Sequence, residues 1–125
     1  MSQATPLTEA EWAVMQAVWK RSPATARDVL EEVEAETSWA YSTVRTMLAR
    51  LVAKGVLTER RRGNTSLYGP RVTREEARGS ALRGLVERAF GGSFGSLVQH
   101  MASEERLTRK ERERLAKLLA EAEEA

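Results

Sequence analysis

Two groups of residues in this chain have side chains suited to meeting a polyanion. Ser42, Thr43, Arg45, Thr46 and Arg50 recur at the spacing of one helical face, and Ala49 and Ala53 keep that face short, small and basic. Hydroxyls and backbone N–H groups near a helix start can donate to phosphate oxygens, and an arginine fork can pair with the edge of guanine. Long side chains at every position would hold such a helix away from the bases. Further along stand Arg60, Arg61 and Arg62, with Tyr68 across a Gly63-Asn64 turn. These could follow a phosphate backbone, although a charged edge strand also resists edge-to-edge pairing. Taken alone, the first group also describes an ordinary amphipathic helix.

The charge distribution favours the polyanion. The chain as a whole carries only +2, but residues 42–74 hold eight cations against Glu59 alone. Residues 1–41 hold three cations against seven carboxylates, and residues 75–125 hold nine against ten. A basic excess gathered into one helix and one hairpin is the footprint of a nucleic-acid surface.

Other chemistries find little support. His100 is the only histidine and has no carboxylate or cysteine at metal-ligand spacing, so no metal or cofactor is expected. Gly91-Gly92-Ser93-Phe94-Gly95 lacks the lysine and preceding strand of a phosphate loop. Asn64-Thr65-Ser66 fits the glycosylation triplet only by composition, and no nucleophile–base or paired-carboxylate arrangement stands out, so an enzyme is not expected. There are no cysteines, hence no disulfides or thiol redox chemistry. No run approaches the roughly 18 apolar residues of a membrane span, and the first residues do not read as a secretory signal. The expectation is a cytoplasmic protein with no membrane contact.

The elements that must position these residues can be read from caps and periodicity. Thr8 with Glu11 opens a first helix whose stripe is Trp12, Met15, Val18 and Trp19, ended by Ser22-Pro23. Thr25 and Asp28 open a second, short helix to about Glu36, carrying Ala26, Val29, Leu30 and Val33. A third runs from about Tyr41 to Lys54, with Val44, Leu48, Leu51 and Val52 inward and Gly55 as its stop. Val56–Arg61 and Thr65–Gly69 read as two strands around the Gly63-Asn64 turn, and Pro70 makes the pair an edge feature. Three helices and a basic hairpin describe a winged helix-turn-helix, in which the third helix enters the major groove and the hairpin is the wing. The fold class is mainly α with a small β-hairpin.

Residues 75–125 then form a helical tail. Thr73 and Glu76 open a fourth helix with the stripe Leu82, Leu85, Val86, Ala89 and Phe90, broken by Gly91-Gly92. Phe94, Leu97, Val98 and Met101 mark a short fifth helix; Thr108 and Glu111 cap a sixth bearing Leu115, Leu118, Leu119 and Ala122. A segment of this size rarely buries enough surface to stand alone, and with no disulfide or metal the expected partner is a second copy. The expected organisation is a DNA-binding domain over 1–74 and a dimerisation domain over 75–125.

At this point the residues resemble a known family. LTEAEWAVMQAVW, WAYSTVRTMLARLVAKGVL and FGGSFGSLVQHM, followed by a charged terminal helix, are similar to the penicillinase-repressor family, the BlaI/MecI/CopY group of winged-helix transcriptional repressors. The resemblance spans nearly the whole chain. It implies a dimeric repressor on a palindromic operator, with Thr43, Arg45, Thr46 and Arg50 in the recognition helix and Tyr68 in the wing. Copper-responsive members resemble it too but end in a cysteine-rich metal motif that is missing here. In β-lactam-responsive members a sensor-linked protease pathway cuts an Asn-Phe bond in the short dimer helix; the matching dipeptide here is His100-Met101.

Sequence-specific repression leads; a dimeric winged-helix module that docks protein is the alternative, and the basic block over 42–74 speaks against it. A ligand-sensing regulator would need a pocket, for which a tail of about 50 residues offers little room.

Overall fold

A computed structural model describes residues 6–104 and 107–124. The order is α1 (Glu9–Lys20), α2 (Ala26–Val33), α3 (Tyr41–Ala53), β1 (Leu57–Arg62), β2 (Thr65–Pro70), α4 (Arg74–Phe90), α5 (Phe94–Ser103) and α6 (Arg109–Glu124). The contacts gather into two compact units, Met1–Leu82 and Arg83–Ala125. The division thus falls inside α4, beyond the residue 74 boundary read from the sequence.

In the first unit, α1 and α2 both start with reciprocal caps. The Thr8 hydroxyl accepts from the Glu11 N–H while Glu11 accepts from the Thr8 N–H, and Thr25 and Asp28 repeat the arrangement. Each pair satisfies two N–H groups that a helix start otherwise leaves unbonded. The two helices pack with α3 around Val14, Met15, Val18, Val29, Val44, Leu48, Leu51 and Leu57, all removed from water. Burying side chains of this size is worth roughly 1.5–3 kcal/mol each. Helix α1 therefore centres its buried face on Val14 and Val18, with Trp12 and Trp19 half-buried at its margins rather than at its middle. The Trp19 indole N–H instead donates to the Val72 carbonyl at 3.0 Å, tying α1 to the segment beyond the hairpin.

Helix α2 stops at Val33, short of Glu36. The Val33 carbonyl accepts from the N–H groups of Glu36 and Thr37 and from the Thr37 hydroxyl, which turns the chain out of the helix. After α3, Gly55 takes φ +82° and leads into the hairpin. The strands pair antiparallel from Leu57↔Pro70 to Arg62↔Thr65, leaving Gly63-Asn64 as a two-residue loop. Gly63 has φ +64°, the positive value a tight hairpin asks of its first loop residue. A third, one-residue strand joins the hairpin: Ala24 and Tyr68 exchange backbone hydrogen bonds of 2.9 and 2.7 Å.

In the second unit, α4 ends at Phe90 and the Gly92 N–H turns back to the Val86 carbonyl at 2.9 Å. Ser93 caps α5, Thr108 and Glu111 cap α6 reciprocally, and the Phe90 and His100 rings meet edge to face at 5.8 Å. Helix α5 contains no buried residue. Leu82 (in the first unit), Leu85, Phe94, Leu118 and Leu119 are exposed, Phe94, Leu118 and Leu119 by about half of their surface. Phe90, Leu97, Val98, Met101 and Leu115 are half-buried. Val86 departs from the reading that placed it on an intermolecular stripe: it is 2% exposed, so a single chain already covers it and little of it is left for a partner. The Ala122 side chain lies outside the described residues. Among the described residues, no helix is long and apolar enough to cross a membrane.

Candidate nucleic-acid interface

The surface of interest is built on α3. Val44, Met47, Leu48 and Leu51 anchor its inner side; Met47 takes the place expected of Val52, which is only half-buried. Ser42, Thr43, Arg45, Thr46, Ala49, Arg50 and Ala53 are all exposed and together form the opposite face. Unlike α1 and α2, the helix begins without a side-chain cap, because Ala40 stands at that position.

The far end of α3 is pinned by a contact that sequence reading did not find. Lys54, the residue after the helix, reaches Glu11 of α1 with Nζ–Oε1 2.6 Å, and Glu11 is 3% exposed. Burial by itself would raise the Glu11 carboxyl. Hydrogen bonds from Lys54 and from the Thr8 N–H, with the Lys54 charge, outweigh it and hold the carboxyl below its ordinary range. Glu11 therefore caps α1 and fixes α3 at once. The only hint in the sequence was its capping position.

The hairpin separates its three arginines. Opposed residues share a face of the ladder and successive residues alternate. Arg61, opposite Ser66, lies on the face of Glu59 and Tyr68, whereas Arg60 and Arg62, opposite Leu67 and Thr65, lie on the other. All three are exposed. Tyr68, expected to act in the wing, is largely buried where it lines the cleft between wing and α3. It is 7% exposed and belongs to the core cluster, because its backbone is locked to Ala24 beneath the hairpin. Burial pushes its phenol above the ordinary value, and Glu59 adds to the rise.

The acidic residues of α2 are engaged elsewhere. Arg21 bonds Asp28 at 2.8 Å and Glu31 at 3.1 Å, and Lys20 bonds Glu32 at 3.0 Å. Among the described residues, Arg27, Arg45, Arg50, Arg60, Arg61 and Arg62 have no carboxylate within 4.0 Å. In the sequence Arg27 falls within the acidic segment 1–41. In the fold its guanidinium lies over the Tyr41 ring, 4.6 Å from the centroid. Between this pair and the wing is a cleft of about 410 Å³ lined by Arg27, Tyr41, Arg45, Arg61, Thr65 and Ser66, among others. Three arginines on one concave surface, none of them within 4.0 Å of a carboxylate among the described residues, suit an external polyanion.

Residues 7–121 match the penicillinase repressor family. The chain belongs to the penicillinase repressor family. This is a family of transcriptional repressors, not of enzymes. Among its relatives, the methicillin resistance regulatory protein MecI of Mammaliicoccus sciuri is 27% identical over 113 residues, covering 90% of this chain and 92% of that protein. The penicillinase repressor of Bacillus licheniformis is 26% identical over 121 residues, covering 97% and 94%. The solution structure of monomeric B. licheniformis BlaI in complex with the blaP half-operator is similar to this chain at 30% identity and TM-score 0.52, covering 61% of this chain and 93% of that one. The fold is thus that of a winged-helix repressor, mainly helical with a two-stranded hairpin.

Proposed function

We propose that this repressor binds a palindromic operator as a homodimer, placing α3 in the major groove and the β1–β2 wing along the flanking backbone. One observation carries the reading: among the described residues, the exposed face of α3 and the wing present arginines with no carboxylate within 4.0 Å, and Arg45 of α3 and Arg61 of the wing line one cleft. Thr43, Arg45, Thr46 and Arg50 act at the bases and nearby phosphates, Ser42 at the helix start, and Arg60, Arg61 and Arg62 along the backbone. The complex of BlaI with its half-operator supports this assignment, since that relative shares the fold. The names of the relatives, methicillin resistance regulatory protein and penicillinase repressor, support a resistance regulon as the target.

Dimerisation rests on the second unit, where Leu85, Phe94, Leu97, Val98, Met101, Leu115, Leu118 and Leu119 remain partly open to water. Isolated helices shorter than about 12–15 residues are marginal, so α5 needs this surface covered. Its His100-Met101 bond, with His100 exposed, is where a sensor-linked protease would relieve repression. The cytoplasm is the compartment this function requires.

The test combines selection of preferred duplexes from a random pool with footprinting and sedimentation of the full chain. Inverted half-sites with centres about 10 bp apart, or a multiple of that, are expected from a two-fold dimer. A single non-palindromic half-site bound at full affinity by a monomer would contradict the proposal.

A further inference from the structure

The cleft between the wing and the starts of α2 and α3 holds a feature that the helix-and-wing assignment does not use. Arg27, Arg45 and Arg61 all line it, and among the described residues none of them has a carboxylate within 4.0 Å. Arg45 belongs at the same time to the open face of α3, and Arg61 to the wing. Arg27 belongs to neither. Its guanidinium is stacked over Tyr41, and stacking occupies a face of the planar group while leaving its N–H donors, which lie in the plane, free to bond. A stacked guanidinium with no carboxylate within 4.0 Å, lining one cleft with two other arginines, is an arrangement for a phosphate oxygen.

We propose that this cleft seats a backbone phosphodiester of the bound duplex, with Arg27 as its clamp and Tyr41 as the residue that positions Arg27. The proposal rests on the DNA-binding reading above and adds to it a contact from α2. A duplex is favoured over a free anion by continuity. The cleft merges with α3 through Arg45 and with the wing through Arg61, so a strand lying on both must pass across it. A single free phosphate would fill a fraction of about 410 Å³ and leave those two surfaces uncovered.

The experiment is a titration of the full chain against a random-sequence duplex of roughly 30 bp at several salt concentrations, a length chosen to span two half-sites. Each phosphate contact contributes about 0.9 to the slope of log affinity against log salt. Arg27→Gln should lower that slope by about 0.9 and weaken binding several-fold. Tyr41→Leu should lower it by a fraction of that, and Tyr41→Phe, which keeps the ring, should recover it; a purely structural role for Tyr41 would move the melting temperature and not the slope. Arg83→Gln, an exposed arginine of the second unit, serves as the control and should leave the slope as it is. In parallel, melting is compared in sodium phosphate and sodium chloride at equal ionic strength. If Arg27→Gln abolishes a stabilisation specific to phosphate but leaves the DNA slope intact, the cleft is a free-anion site and the proposal is overturned. An unchanged slope for Arg27→Gln alongside normal wild-type binding overturns it as well. A wild-type chain without salt-dependent duplex binding overturns the DNA reading itself, and the clamp with it.

Discussion

Lys54→Met should destabilise the N-terminal unit by about 3 kcal/mol, which follows from what the substitution leaves behind. Methionine keeps the packing of the lysine stem but removes the charge and the 2.6 Å hydrogen bond to Glu11. Glu11 is then a carboxylate at 3% exposure with only the Thr8 N–H, at 2.9 Å, as a remaining partner. Removing one member of a buried ion pair typically costs about 3–5 kcal/mol, because the other charge stays desolvated. The Lys54 side chain is 24% exposed, so water can reach part of the vacated space and the lower end applies. The pH dependence supplies a second check. The Glu11 carboxyl is held below its ordinary value of 4.5, so its charge contributes stability above that pH and loses it as pH falls through the lowered folded value. Glu11→Gln, which lacks the charge, should differ from wild type fully at pH 7, and the gap should narrow below about pH 4.5. Urea and thermal unfolding followed by tryptophan fluorescence read this unit selectively, since Trp12, Trp19 and Trp39 all lie within it. At about 4–8 °C per kcal/mol, Lys54→Met should melt roughly 12–24 °C lower. A loss below about 1 kcal/mol, or a gap to Glu11→Gln that stays constant into acid, would refute a buried, charged pair.

Three further outcomes are expected. Arg45→Ala should cost about 1–3 kcal/mol on the preferred duplex and reduce its advantage over a scrambled one; equal losses on both would remove Arg45 from base readout. Arg61→Ala should weaken binding to all duplexes alike and lower the salt slope by about 0.9, and an unchanged slope would place the wing away from the backbone. A chain ending at His100 loses Met101 and α6, so it should sediment as a monomer and give up about 10²–10⁴ in operator affinity while its tryptophan-monitored unfolding stays as in the full chain. If that chain remains a dimer with full affinity, cleavage near residue 100 cannot be the release step.

Much of this architecture was legible in residue order because it is governed by neighbours three or four positions apart. Thr8 with Glu11, Thr25 with Asp28 and Thr108 with Glu111 each satisfy helix-start N–H groups locally, so their spacing announces the helix before any packing is known. The small, basic face of α3 and the glycine at the hairpin turn are likewise properties of short stretches, and the clustering of charge over 42–74 needs only the sequence. What the tertiary structure decided depends on residues distant in the chain. Lys54 finds Glu11 across 43 positions, and that pairing turns a capping glutamate into the anchor of α3. Strand register sends Arg61 to one face and Arg60 and Arg62 to the other, although the three are consecutive. Tyr68 became a core residue because Ala24 bonds its backbone, and Arg27 left the acidic segment for the Tyr41 ring. A side chain's type and period state which contacts it can make. Which of them it does make depends on what the folded chain places within a few ångströms, where burial and charge act over distances the sequence does not encode.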